Sequence, residues 1–137
     1  LWAPNFSMGV TLFVEIAREA ARIMSKSDFS AAMIETHHQA KKDAPSGTAI
    51  AIARAMEPRL GRSLPVTSVR TGSVPGMHEL IFDAPFEQIS MRHEARDRRV
   101  FADGASRAAQ GLKGKTGVFT MRDVLGFTAA SDGGTTK

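Results

Sequence analysis

Glu35-Thr36-His37-His38-Gln39-Ala40-Lys41-Lys42-Asp43-Ala44-Pro45-Ser46-Gly47-Thr48 is the stretch around which this chain is organised. Two imidazoles, two ammonium groups and two carboxylates precede a Pro-Ser-Gly-Thr turn. Upstream, Phe29 to His37 reads as a short strand, with Ala32, Ile34 and Thr36 alternating against Met33 and Glu35. A helix competes for that segment, because Ala and Met carry no strand preference. Downstream, a helix starts at Ser46 or Gly47, with Ala49, Ile52, Ala53, Met56 and Leu60 as its apolar stripe. Pro58 weakens its last turn and Gly61 closes it. The cluster therefore sits at the C-terminal end of a strand and the start of a helix, where open sheets present loops to ligands.

Outward from that stretch, residues 1–6 read as extended, because Pro4 disfavours a helical Ala3. A helix follows from near Ser7, with Val10, Phe13, Val14, Ala17, Ala21 and Met24 on one face, and it ends in the polar turn Ser25 to Asp28. Beyond the second helix, Leu64 to Ser73, Met77 to Asp83 and Phe86 to Glu94 read as strands, the last two joined by a tight hairpin at Ala84-Pro85. A third helix is expected from about Asp97 to Leu112, then an extended Val118 to Met121 and a short helix from Arg122. This order predicts an α+β fold: a mixed open sheet with helices on one face and the other face available for oligomerisation. Residues 1–127 are expected to form one domain, and the Gly-rich stretch 128–137 a disordered tail.

Composition narrows the function. An apolar fraction of 42% and a charged fraction of 23% are those of an ordinary soluble protein. There is no cysteine, hence no disulfide framework, which fits a cytoplasmic location. Val10 to Met24 is interrupted by Glu15, Arg18, Glu19 and Arg22, so it is no membrane span, and no signal-peptide pattern is seen. The net charge is +4, but the basic residues are scattered and not interleaved with aromatics, which argues against nucleic acid. No Gly-x-Gly-x-x-Gly and no Walker loop is present, and the abrupt opening on Leu1-Trp2 is that expected of a piece of a longer protein.

The central stretch supports three chemistries. A metal is the weakest: His37, His38, Asp43, His78 and His93 offer ligand atoms, but adjacent histidines on a strand point to opposite faces, and Lys41, Lys42, Arg54 and Arg70 would oppose a cation if they converged there. No metal is expected. His37 and Lys41 can share one pocket as an acid/base pair, in which nearby lysines depress the histidine pKa and an arriving dianion restores it. Ser46-Gly47-Thr48 offers amides, hydroxyls and the positive end of a helix to an anion, although a plain N-cap has the same composition. Glu35, on the same strand face as His37, either orients it or is a solvated edge residue. His78 and His93 read as structural, and Asp97-Arg98-Arg99 as a solvated helix start. With no cysteine and no Gly-x-Ser-x-Gly, nucleophilic serine or cysteine chemistry is unsupported.

Glu35 to Thr48 resembles the E-x-H-H-x-x-K-x-D-A-P-S-G-T signature of the dihydrodipicolinate (4-hydroxy-tetrahydrodipicolinate) reductase family. Ala3 to Val10, Arg70 to His78, His93 to Ala105 and Gly117 to Leu125 are similar to further stretches of that family, in order, so the resemblance spans residues 2–126. It implies the C-terminal substrate-binding and tetramerisation domain of an oxidoreductase whose separate Rossmann domain binds NADPH or NADH. It implies His37 as proton donor and acceptor and Lys41 as a second proton donor. His38, Lys41, Ser46, Gly47 and Thr48 would hold a small dicarboxylate, and Ala3, Pro4, Asn5 and Phe6 would touch the nicotinamide. The segment from Met121 to Phe127 is then expected to lack its packing partner. Glu79, Ser106 and Gly111 depart from the family pattern away from the implied site. A non-catalytic dicarboxylate-binding or oligomerisation module is the competing reading.

Overall fold

Ser7 starts the first helix. Its hydroxyl accepts from the Val10 amide at 3.2 Å while its own amide donates to Asn5 Oδ1 at 2.7 Å, so a free first-turn donor is satisfied by a side chain. The computed structural model describes residues 1–127, and the expectation for 128–137 lies outside them. The elements run α1 (Met8–Met24), β1 (Ser30–His37), α2 (Gly47–Leu60), β2 (Val66–Arg70), β3 (Met77–Ala84), β4 (Glu87–Glu94), α3 (Arg99–Gly111) and α4 (Met121–Val124). No helix among the described residues is long and apolar enough to cross a membrane.

The strands form one sheet in the order β2-β1-β3-β4, with β1 parallel to β2 and antiparallel to β3, and β3 antiparallel to β4. The fold is therefore α+β with a mixed open sheet, as the element order predicts. Because strand side chains alternate, Ala31, Met33, Glu35 and His37 of β1 lie on the same face as His78, Leu80 and Phe82 of β3. The apolar members of that face join Phe13, Ala17 and Ala21 of α1 and Ala49, Ile52, Met56 and Leu60 of α2 in one core. Burying a side chain such as Phe82 or Ile52 is worth roughly 1.5–3 kcal/mol. The opposite face, with Ala32, Ile34, Thr36, Met77, Glu79 and Ile81, stays partly exposed.

Several boundaries differ from the sequence reading. β2 is shorter than Leu64 to Ser73: Leu64 is buried ahead of the strand, and the chain turns at Gly72, whose φ of +51° suits glycine. The hairpin turns at Pro85-Phe86, one residue later than expected. α3 starts at Arg99, whose amide bonds to the Asp97 carboxylate at 2.7 Å, so Asp97 precedes the helix rather than opening it. α4 includes Met121, because Thr120 and Asp123 form a reciprocal capping box one residue earlier than the sequence reading allowed. Within this domain that segment packs on α1: Met121 is buried and Arg122 pairs with Glu15 at 2.6 Å. His93 packs against Phe13 and lies where a side chain at Gly9 would sit, in keeping with a structural histidine.

Candidate active site

The core face of β1 changes chemistry towards its C-terminal end. Ala31 and Met33 are followed at the same two-residue step by Glu35 and His37, both buried. The register then decides their neighbours. Parallel β2 sets Ser68 beside Glu35 and Arg70 beside His37, while antiparallel β3 sets His78 opposite Glu35. Arg70 grips Glu35 bidentately, with Nη2 2.7 Å from Oε1 and Nη1 3.1 Å from Oε2. The Ser46 amide donates to Oε1 at 3.2 Å, and His37 Nδ1 meets Oε2. Glu35 is fully buried, so it is not a solvated edge residue.

The loop from His38 to Pro45 is tied at several points. Arg70 Nη2 donates to the Asp43 carbonyl at 2.6 Å, and the Gln39 amide to the Gly72 carbonyl at 3.1 Å. Lys41 Nζ pairs with the Asp43 carboxylate at 2.7 Å, and this bond lowers the Asp43 pKa. The Ala44–Pro45 peptide is cis. Ser46 then caps α2: its hydroxyl accepts from the Ala49 amide at 3.1 Å and lies 3.2 Å from His78 Nε2. Both polar groups of Ser46, expected at the ligand, are thus engaged within the protein. With the Ile50 amide bonded to the Ser46 carbonyl and the Gly47 amide directed at the Asp43 carboxylate, the Thr48 amide is the first-turn donor left for an anion, and that of Gly47 joins it when Asp43 is displaced. Thr48 Oγ1 accepts from Asn5 Nδ2 at 3.1 Å, which leaves its hydroxyl proton to donate.

The structure brings His37, Lys41 and Arg70 together: the charges of Lys41 and Arg70 both act on His37. Lys42 is exposed, and Arg54 lines a separate cavity. His38 is half-buried and takes a 3.1 Å contact from Arg98 Nη2, so Arg98 reaches the site loop rather than standing free. His78, read from the sequence as structural, borders the cluster. Its ring meets that of His37 edge-on, with centroids 5.3 Å apart. Only the pairing of β3 with β1 could reveal that proximity.

Burial depresses the His37 pKa, Glu35 opposes that effect, and Lys41 and Arg70 add to it. The sequence argument thus has the right direction, but burial and not the lysines is the main cause. Burial likewise brings His78 down to about 4, with the His37 charge adding to it. Burial alone would raise Glu35, but hydrogen bonds from Arg70, Ser68, His37 and the Ser46 amide outweigh it and bring the carboxyl to about 2. Both groups bind fewer protons folded than unfolded, so stability falls with acid. The His78 contribution is lost as pH falls from about 6.5 to about 4, and the Glu35 contribution from about 4.5 to about 2. Each is worth about 3 kcal/mol in full. Urea denaturation should therefore show unfolding free energy dropping between pH 7 and pH 4.5, and His78→Gln should flatten that slope. A wild-type stability that is level over this range would contradict the assignment.

Glu35, His37 and His78 each place one ligand-type atom within 4.8 Å of the others. Yet both Glu35 oxygens are already occupied, and the Arg70 charge sits on that carboxylate. The cluster therefore works as a hydrogen-bond network. A cavity of about 540 Å³ opens on the other side of α2, lined by Trp2, Ala3, Pro4 and Asn5 with parts of α1, α2 and α4. Of the anion-facing residues only Thr48 borders it, and Phe6 does not line it. It adjoins the acid/base cluster and is distinct from it.

Comparison with known proteins bears on the family and the fold. The family described as "Dihydrodipicolinate reductase, C-terminus" matches residues 9–125. The 4-hydroxy-tetrahydrodipicolinate reductase of Methanosarcina acetivorans is 39% identical, over 91% of this chain and 53% of its own length. That of Gluconobacter oxydans is 41% identical, over 91% of this chain and 57% of its own. A solved structure, the dipicolinate-bound dihydrodipicolinate reductase from Paenisporosarcina sp. TG-14, superposes with a TM-score of 0.68 and 25% identity over 80% of this chain and 48% of that one. The chain spans about half the length of the curated relatives it matches. With the family's match running unbroken from α1 through α4, the chain belongs to the dihydrodipicolinate reductase family, as its C-terminal domain.

Proposed function

We propose that this domain supplies the substrate site and the proton for reduction of 4-hydroxy-tetrahydrodipicolinate (dihydrodipicolinate) to tetrahydrodipicolinate, a step of diaminopimelate and lysine biosynthesis in the cytoplasm. One observation carries the reading: a buried histidine with a free ring edge lies beside a lysine and the first-turn amides of α2. His38, Lys41 and the amides of Gly47 and Thr48 hold the two carboxylates, and the Thr48 hydroxyl adds a donor. Ser46 holds the helix start in place for them. Lys41 exchanges Asp43 for a substrate carboxylate and stands as a second proton donor. The arriving dianion favours the imidazolium of His37, which burial otherwise disfavours. His37 then protonates the electron-rich ring carbon that develops during reduction.

Bound NADPH or NADH supplies the hydride. Ala3, Pro4 and Asn5 fit the nicotinamide end, because they line an open cavity beside Thr48. The partly exposed sheet face, with Ile34, Met77 and Ile81, is covered by further copies in a homotetramer, which sedimentation would register as a fourfold mass.

Calorimetry with pyridine-2,6-dicarboxylate tests the substrate reading on the 137-residue chain. Charge-assisted hydrogen bonds are worth about 1.5–3 kcal/mol. Lys41→Ala should therefore weaken binding by roughly tenfold to a hundredfold, and Thr48→Ala by about tenfold. Unchanged affinity in both variants would refute the site.

A further inference from the structure

His37 has two ring nitrogens, and the acid/base role requires one of them to face the ligand. Nδ1 is taken by Glu35 Oε2. Its other partners are the two guanidinium nitrogens of Arg70 and the Ser46 amide, all obligate donors, and the Ser68 hydroxyl, which can only donate to a carboxylate that carries no proton. An ionised carboxylate only accepts, so the proton of neutral His37 must sit on Nδ1. Nε2 takes no hydrogen bond from the described residues. What keeps it clear is Gly76, with φ +156°: a side chain there would place its Cβ 3.1 Å from Nε2. Arg70 also holds the Asp43 carbonyl, so one guanidinium links the carboxylate to the loop that carries Lys41.

We propose that Glu35, clamped by Arg70 and the Ser46 amide, is a positioning residue that holds His37 as its Nδ1–H tautomer and leaves Nε2 as the proton-exchanging atom. The catalytic meaning of this rests on His37 being the proton donor of the proposed reduction; the tautomer itself does not. A purely structural ion pair between β1 and β2 would leave the tautomer to chance. The depressed carboxyl of Glu35 is consistent with an acceptor that stays ionised throughout the working range.

Glu35→Gln gives an opposite and specific expectation. The single carbonyl oxygen of Gln is claimed by the donors of Arg70 and Ser46. Its NH2 group is then turned to His37 and donates to Nδ1, which must become the bare nitrogen. The substitution inverts the tautomer. It also removes the charge that raises the His37 pKa, while Arg70 on β2, His78 on β3 and Lys41 on the loop still face the ring. The His37 pKa therefore falls further.

The test is nitrogen-15 NMR of the histidine rings in the ligand-free 137-residue chain, with His37 signals assigned by their loss in His37→Gln. In wild type, Nδ1 should carry the proton at neutral pH, and Nε2 should be the nitrogen whose signal moves on acidification. In Glu35→Gln the proton should lie mainly on Nε2. A wild-type proton on Nε2, or a folded Glu35→Gln with the wild-type tautomer, would overturn the proposal. Should Glu35→Gln not fold, the wild-type titration decides alone: movement at Nε2 supports the clamp, and movement at Nδ1 rejects it. Calorimetry with pyridine-2,6-dicarboxylate on the same samples separates the two ideas. The expected tautomer without binding refutes the substrate reading and leaves the clamp standing. Binding with the proton on Nε2 refutes the clamp and leaves the substrate reading.

Discussion

His37→Gln, made in a chain that joins this domain to a nicotinamide-binding domain, should lower kcat by about 10²–10⁴-fold, the usual contribution of a positioned general acid. KM for the dicarboxylate should stay within a few-fold, because the proposed site holds the anion by Lys41 and the start of α2. Glutamine is close to histidine in reach, and its amide can still donate to Glu35, so the fold should survive. What it lacks is a proton to give. The pH profile carries a second signature. His37 must be protonated to act, so kcat/KM should fall as pH rises through its depressed free-state pKa. In the complex the dianion favours the imidazolium, so the corresponding limb of kcat should lie at higher pH. Steady-state kinetics across pH 5–9 would check both. A variant within tenfold of wild type, or one in which only KM rises, would remove His37 from the chemistry.

Gly104→Ala should destabilise the domain by about 3 kcal/mol, at the upper end of what overpacking costs. A Cβ at residue 104 would lie 1.8 Å from the Phe6 carbonyl oxygen and 2.8 Å from its carbon. Both are backbone atoms, so no side chain can rotate away; α3 or the 5–7 segment must shift. That segment is already fixed, with Ser7 fully buried as the cap of α1 and Asn5 bonded to Thr48. The substitution should therefore also weaken pyridine-2,6-dicarboxylate binding through Thr48. An alanine would normally gain about 0.5–1 kcal/mol over glycine inside a helix, so a loss isolates the overlap. Gly111→Ala is the control in the same helix: the nearest atom a Cβ would meet there is Val124 Cγ1 at 3.7 Å, an ordinary contact. Urea denaturation should separate the two variants clearly. A Gly104→Ala as stable as wild type would mean that α3 does not sit on Phe6.

Much of the fold is legible along the chain because its signals are local. The Ser7 cap, the apolar stripe of α1, the αL Gly61 after α2 and the alternation in β1 each involve residues a few positions apart. Boundaries fail where a short-range device is easily overlooked, as with the Thr120–Asp123 capping box, or where pairing ends a strand earlier than composition implies, as at Arg70. The candidate site divides in the same way. His37, Lys41 and the start of α2 sit in one contiguous stretch and stand out by residue type. Arg70 and His78 lie 33 and 41 positions from His37 and look like ordinary strand residues.

The sequence by itself determined that a strand carrying Glu35 and His37 feeds, through a basic loop, an anion-ready helix start, because periodicity and capping depend on near neighbours. It also determined the family, since the Glu35 to Thr48 motif is written in one run. Only the tertiary structure decided what those groups do to one another. Strand register places Arg70 and the Ser46 amide on Glu35, and so makes a carboxylate of uncertain role the buried acceptor for His37 Nδ1. Side chains that share a charge network through sheet pairing leave no periodic trace in the chain, and the depth at which Glu35 and His78 are buried depends on how α1 and α2 close over the sheet.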